Sequence, residues 1–154
     1  IEAGYMESEF TTSDKRLIGR AATDLFTAAG RLNQHVHTVC ARFGITHDQY
    51  TVLLLLKGAY PKGRARHEVA GQLAERAPDV TRLIDRLEQN GLVERYRSDE
   101  DRRLSFARIS RMGIVLLEQM EEPICAARDA YMERLTADDL LELTRLCARL
   151  HANA

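Results

Sequence analysis

At Asn90-Gly91 the hydrophobic period of the chain changes, and that change narrows the fold more than any other feature. Before it, Val80, Leu83, Ile84 and Leu87 recur at helical spacing. After it, Leu92 to Arg97 and Leu104 to Ile109 alternate in the manner of strands. The two alternating runs flank Ser98-Asp99-Glu100-Asp101-Arg102-Arg103, a polar tip. A helix running into a β-hairpin with a charged loop is thereby expected. The helix spans about Ala77 to Asn90, with Pro78 in its first turn, where a missing N–H costs little.

Upstream, apolar residues at Ile18, Ala22, Leu25, Ala29, Leu32, Val36, Val39 and Phe43 alternate steps of four and three. That heptad stripe predicts a long helix from Ser13 to Phe43 sharing its seam with other helices, and Gly44 suits its left-handed C-terminal position. Thr46 with Gln49 forms a capping box, and Ile45 with Tyr50 has hydrophobic-staple spacing, so a second helix runs to about Lys57. Gly58, Pro61 and Gly63 end it. Residues 67–75 read as a short helix with a poorly capped start, because Arg66 is no N-cap residue. Downstream, Ser110 caps a long helix to about Leu135 that Pro123 is expected to kink. Thr136 and Asp139, with Leu135 and Leu140 as staple, open a last helix whose buried side is assigned to Leu140, Leu141, Leu143, Leu146 and Leu150.

The fold class expected is therefore mainly α with a small β-hairpin wing: a winged helix-turn-helix with a helical lobe. Residues 1–12 are expected as a flexible terminus, 13–44 and 110–154 as the helical lobe, and 45–109 as the winged lobe. In such a lobe the second helix of the pair enters the major groove of DNA and the hairpin reaches an adjacent groove or the backbone. With the four apolar residues turned inward, the outer face carries Asp79, Thr81, Arg82, Asp85, Arg86 and Gln89. Thr81 and Arg82 lie near the start, where base edges are touched, and arginine suits the two major-groove acceptors of guanine. Arg86, a turn later, suits phosphate. A solvated polar face would carry similar residues, but the charged hairpin that follows weighs against that reading.

Charge distribution points the same way. The net charge is −1, yet Lys62 to Arg111 holds twelve Lys and Arg against nine Asp and Glu, a local balance of +3 that leaves the ends acidic.

The run from Asp79 to Arg95 (Asp-Val-Thr-Arg-Leu-Ile-Asp-Arg-Leu-Glu-Gln-Asn-Gly-Leu-Val-Glu-Arg) resembles the recognition helix and first wing strand of the MarR (multiple antibiotic resistance regulator) family. Asp99-Glu100-Asp101-Arg102-Arg103, followed by Ile109-Ser110 and Gly113, resembles that family's wing signature and the start of its next helix. The likeness extends over about residues 15–150 in element order. It implies a homodimer in which the first, fifth and sixth helices of both chains interlock, which makes the helical lobe of 13–44 and 110–154 a helical dimerisation region. It also implies a pseudo-palindromic double-stranded DNA operator, and repression relieved by a small, often phenolic, effector or by thiol oxidation. Carried over by position, Asp101 braces the wing through an ion pair, and either Arg102 or Arg103 enters the minor groove, where a narrow groove focuses negative potential. Arg76 and Pro78 stand at the start of the helix, Thr81 and Arg82 face the major groove, and Asp79, Arg86 and Arg97 complete the DNA-facing set. At the helix-turn-helix bend this chain has Ala74-Glu75-Arg76, where the family often has a small polar residue or glycine.

Other chemistries find less support. Cys40, Cys125 and Cys147 are too scattered for a disulfide framework. Free cysteine behaves more often as a small buried hydrophobe than as a sensor, although thiol sensing is the alternative within the family. His35 and His37 are two apart and face different sides of a helix, and His47, His67 and His151 lack a matching cluster, so no metal and no other cofactor is expected. His35 or Arg16 could line an effector cleft, with surface roles as the plainer account; the effector-binding residues stay open. No Gly-rich phosphate loop, Ser/His/Asp order or nucleophile elbow appears, so no enzyme is expected. No apolar run approaches the ~20 residues that span a bilayer, and the start lacks a signal-peptide pattern; a cytoplasmic protein with no membrane partner is the expectation. A winged helix that binds protein instead of DNA is the competing class, and the arginine-rich tip speaks against it.

Overall fold

The computed structural model describes residues 11–73, 80–97 and 105–152. The elements run α1 (Thr12–Arg42), α2 (His47–Lys57), β1 (Arg64–Ala65), α3 (Arg66–Gln72), α4 (Val80–Gln89), β2 (Val93–Arg97), β3 (Ser105–Ile109), α5 (Arg111–Met132) and α6 (Ala137–His151). The chain divides into two units after Gln34.

The described part of the first unit is the N-terminal stretch of α1. Thr11 and Asp14 fasten its start: the Asp14 N–H donates to the Thr11 hydroxyl at 3.2 Å, and the Asp14 carboxylate accepts from the Thr11 N–H at 2.9 Å. The heptad residues Ile18 and Leu25 are 49% and 44% exposed. In this stretch the stripe is an uncovered apolar edge.

The second unit, from His35, holds the core. The last turns of α1 bury Val36, Val39 and Cys40; α2 adds Val52, Leu53 and Leu56, and α5 adds Leu117, Met120 and Ile124. Gly44, at φ 74°, ends α1 as expected. The capping box of α2 is formed in both directions, with Gln49 N–H to the Thr46 hydroxyl at 3.2 Å and Thr46 N–H to the Gln49 amide oxygen at 2.9 Å. The α5 start is capped by Ser110, whose hydroxyl accepts from Gly113 N–H at 3.0 Å. The helix then continues through Pro123 as one element. The α6 box of Thr136 and Asp139 is formed as well.

Three features depart from the sequence expectation. The sheet has three strands, in the order β1-β3-β2, both pairings antiparallel. The added strand is the pair Arg64–Ala65, which meets Ala107 and Phe106 of β3. Helix α3 therefore begins at Arg66 with Ala65 as its cap residue. Ala65 has no side chain to offer, and Glu68 compensates by accepting the Ala65 N–H at 2.7 Å. Finally, the leucines assigned to the buried side of α6 are not buried within one chain: Leu141 is 70% exposed and Leu146 43%, with Leu140, Leu143 and Leu150 also exposed. The period of that helix shows an apolar face correctly, but a face is buried only when another surface covers it.

Candidate nucleic-acid interface

Helix α4 is placed by four side chains. Val80, Leu83, Ile84 and Leu87 are all buried and join the core formed by α2, β2 and β3. Their spacing leaves one side of the ten-residue helix to solvent, and Arg82 and Arg86 are exposed there. Leu87 then hands the chain to the wing. The Leu92 N–H returns to the Leu87 carbonyl at 2.9 Å, and Gly91, at φ 70°, makes the reversal that a β-carbon would strain. β2 and β3 pair from Val93–Ile109 to Arg97–Ser105. Their alternation buries Val93, Ala107 and Ile109.

Thr81 is half-buried instead of projecting fully outward. Its hydroxyl accepts from the Arg66 guanidinium at 3.0 Å, which ties the first turn of α4 to α3. Arg97 is exposed at the end of β2. The other proposed DNA-facing or wing residues, Arg76, Pro78, Asp79, Asp101, Arg102 and Arg103, lie outside the described residues.

One participant was not anticipated. Arg95 of β2 pairs with the Asp85 carboxylate and reaches Glu88 at 3.4 Å through Nε. Its Nη2 also stands 3.5 Å from the Thr81 carbonyl. The signal was available in the strand period, because Arg95 follows Val93 by two and so shares the side of β2 that packs on α4. Asp85 and Glu88 are the acids of α4, so their charge is matched from the sheet while Arg82 and Arg86 occupy the exposed side. Arg66, Thr81 and Arg95 help line a cleft of about 260 Å³. On the opposite side of β2, Glu94 pairs with Arg108 at 2.7 Å, Tyr96 stacks on Phe106, and the Tyr96 hydroxyl donates to the Lys62 carbonyl.

A buried α4, its arginines outward, and an adjoining antiparallel hairpin make a winged helix. The family model for the MarR family matches residues 45–105. A solved MarR transcription factor from Planctomyces limnophilus is 35% identical, covers 84% of this chain and 94% of its own length, and superposes with a TM-score of 0.68. The chain belongs to the MarR family. Another MarR-family structure, Sco3205 of Streptomyces coelicolor in complex with DNA, shares the fold with a TM-score of 0.79 at 22% identity, over 97% of this chain and 92% of that one. The HTH-type transcriptional regulator MhqR of Bacillus subtilis (strain 168) is 29% identical over 124 residues, 80% of this chain and 81% of that protein.

Other sites have less to work with. Among the described residues no group of three or more His, Cys, Asp or Glu side chains is placed to hold a metal ion, and no helix is long and apolar enough to cross a membrane. Cys40 is fully buried, Cys147 half-buried and Cys125 exposed. The His35 and Tyr131 rings meet at 5.4 Å between centroids. Burial pushes the Tyr50 phenol above its ordinary range, and the neighbouring Arg128 guanidinium opposes that shift.

Proposed function

We propose that this MarR-family protein is a sequence-specific regulator of transcription that binds double-stranded DNA as a homodimeric repressor and is released by a small, often phenolic, effector. The observation that carries the reading is α4 itself. Its apolar side is sunk in the core, and Arg82 and Arg86 stand on the exposed side next to the hairpin. Arg82 has the chemistry to read guanine and Arg86 to neutralise phosphate. Arg97, with Arg102 or Arg103, would extend the contact along the duplex, Asp101 would brace the wing, and Arg76, Pro78, Asp79 and Thr81 would set the entry of the helix. The DNA complex of the Streptomyces relative supports the same use of the fold.

Homodimerisation is supported by apolar surface that a single chain does not cover, on the N-terminal stretch of α1 and separately on α6. A two-fold dimer would present two α4 helices to half-sites about one helical turn apart, roughly 10 bp. A mobility-shift titration with the DNA flanking the protein's own gene, run at several salt concentrations, tests the reading. Binding should weaken steeply with salt through counterion release. It should be lost in Arg82→Ala and weakened in Arg102→Ala with Arg103→Ala. Salt-independent or absent binding would instead support a winged helix that recognises protein.

A further inference from the structure

Apolar burial holds α4 against the core and sets which side faces inward, but it is non-directional and leaves the fine rotation of the helix about its own axis less sharply fixed. That rotation decides where Arg82 and Arg86 point. The polar contacts around α4 add a directional constraint. Thr81, Asp85 and Glu88 succeed one another at steps of four and three, so they form a single edge along the helix. Arg95 meets that edge from β2. It pairs with Asp85, stands 3.4 Å from Glu88 through Nε, and stands 3.5 Å from the Thr81 carbonyl through Nη2. Arg66 closes the first turn from the α3 side with its 3.0 Å bond to the Thr81 hydroxyl.

The guanidinium is suited to this task for a geometric reason. Its planar fork carries several donors in fixed directions, and it can engage two carboxylates at once. A lysine ammonium is a compact point charge on a flexible stem, without donors fixed in a plane, and would hold that edge less rigidly. The same contacts argue against the simplest role for an arginine on this lobe, a phosphate ligand. The Nη2 donor is directed at α4, Nε stands 3.4 Å from the Glu88 carboxylate, and the side chain is 31% exposed, where Arg108 on the other side of the sheet is 47% exposed.

We propose that Arg95 is a positioning residue for DNA recognition: by bracing the Thr81–Asp85–Glu88 edge it sets the rotation of α4, and so governs discrimination between DNA sequences without touching DNA. This rests on the DNA-binding reading above. The consequence is specific. Removing the brace should cost base discrimination, which depends on the aim of Arg82, and should leave non-specific affinity nearly intact, which depends on the count of phosphate contacts.

The test compares the full-length dimer with Arg95→Met, Arg95→Lys, Asp85→Asn, and Arg95→Met combined with Asp85→Asn. Two duplexes serve as probes: one selected from a random-sequence library by the wild-type protein, and a scrambled duplex of equal length. Fluorescence anisotropy over a salt series reads both affinity and salt slope. Arg95→Met should lower the ratio of selected to scrambled affinity about tenfold, with the salt slope unchanged, and Arg95→Lys should fail to restore it. Asp85→Asn should lower the same ratio, and the double variant should be no worse than the poorer single one. A slope reduced by about one with both duplexes weakened alike would identify Arg95 as a phosphate ligand and overturn the proposal. An unchanged ratio in Arg95→Met and Asp85→Asn would also overturn it. If Arg95→Met unfolds by circular dichroism, Asp85→Asn and Glu88→Gln decide, because they remove the acceptors and keep the arginine. A wild-type protein that selects no duplex would defeat the DNA-binding reading itself, a failure visible before any variant is compared.

Discussion

Gly113 in the first turn of α5 lies against the Leu92 carbonyl at the root of the wing, and no side chain fits between them. A β-carbon there would collide with that oxygen and come within 2.7 Å of Ile109 Cγ1. The Leu92 carbonyl cannot retreat freely, because it accepts the Ser110 N–H at 3.0 Å. Gly113→Ala should therefore cost about 1–3 kcal/mol as overpacking. In urea the unfolding midpoint should fall with the slope unchanged. A midpoint equal to wild type would mean that α5 and the wing root separate easily.

Ser110 joins the same two elements from the other side. Its hydroxyl, on a buried residue, donates to the Gly91 carbonyl at 2.6 Å and accepts from the Gly113 N–H at 3.0 Å. Ser110→Ala removes the helix cap and the bond to the Gly91 carbonyl. The cap alone is worth about 1 kcal/mol, and the lost bond to Gly91 adds about 0.5–1.5 kcal/mol. Chemical denaturation should show a loss larger than that of Thr136→Ala, whose capping box on α6 is exposed.

The leucine face of α6 gives a test of assembly. If Leu143, Leu146 and Leu150 cover apolar surface on a second copy, Leu146→Glu would bury an unpaired carboxylate at that contact, a cost several times that of losing the apolar area alone. Sedimentation should then show a monomer with helical content preserved, and half-site binding should weaken because the second α4 is no longer tethered. A dimer that persists unchanged would remove α6 from the interface.

What the sequence made legible follows from the range of the interactions involved. The boxes of Thr46 with Gln49 and Thr136 with Asp139 act within three residues, so reading them needs no tertiary knowledge. The inward side of α4 and its exposed Arg82 and Arg86 follow from the helical period in the same way. β1 was hidden because two residues show no alternation. Arg64 and Ala65 become a strand only through Ala107 and Phe106, some forty positions later. Gly63 gave a hint that no single-sequence rule decodes: at φ 70° its missing side chain lets the backbone approach Ala107 and Arg108 of β3. Thr81 was read as outward because the period placed it on the polar side, and its half-burial comes from Arg66, fifteen residues away. The brace by Arg95 was missed for the same reason, since it depends on a pairing across the turn at Gly91.

The cysteines allow the thiol-oxidation alternative to be weighed by chemistry. Cys40 is 0% exposed, and burial holds its thiol above the ordinary value of 9.0, with a backbone hydrogen bond opposing. The thiolate is the reactive form, so Cys40 in the folded protein should react slowly with iodoacetamide or peroxide near neutral pH. Cys125 is exposed and should react first. The sign for stability follows from the same shift. A group whose folded-state value is raised contributes stability that is whole below the unfolded value and is lost as pH rises through the folded one, so the contribution of Cys40 is whole at neutral pH and is lost at alkaline pH. Mass spectrometry of timed alkylation at pH 7 and at pH 9 should show Cys125 modified at both and Cys40 protected at both, with Cys40 reacting once urea is added. Rapid labelling of Cys40 in the native protein would mean that the α1–α2 corner opens readily. Peroxide treatment that modifies Cys125 and abolishes DNA binding, with binding preserved in Cys125→Ser, would favour thiol oxidation over effector release as the signal.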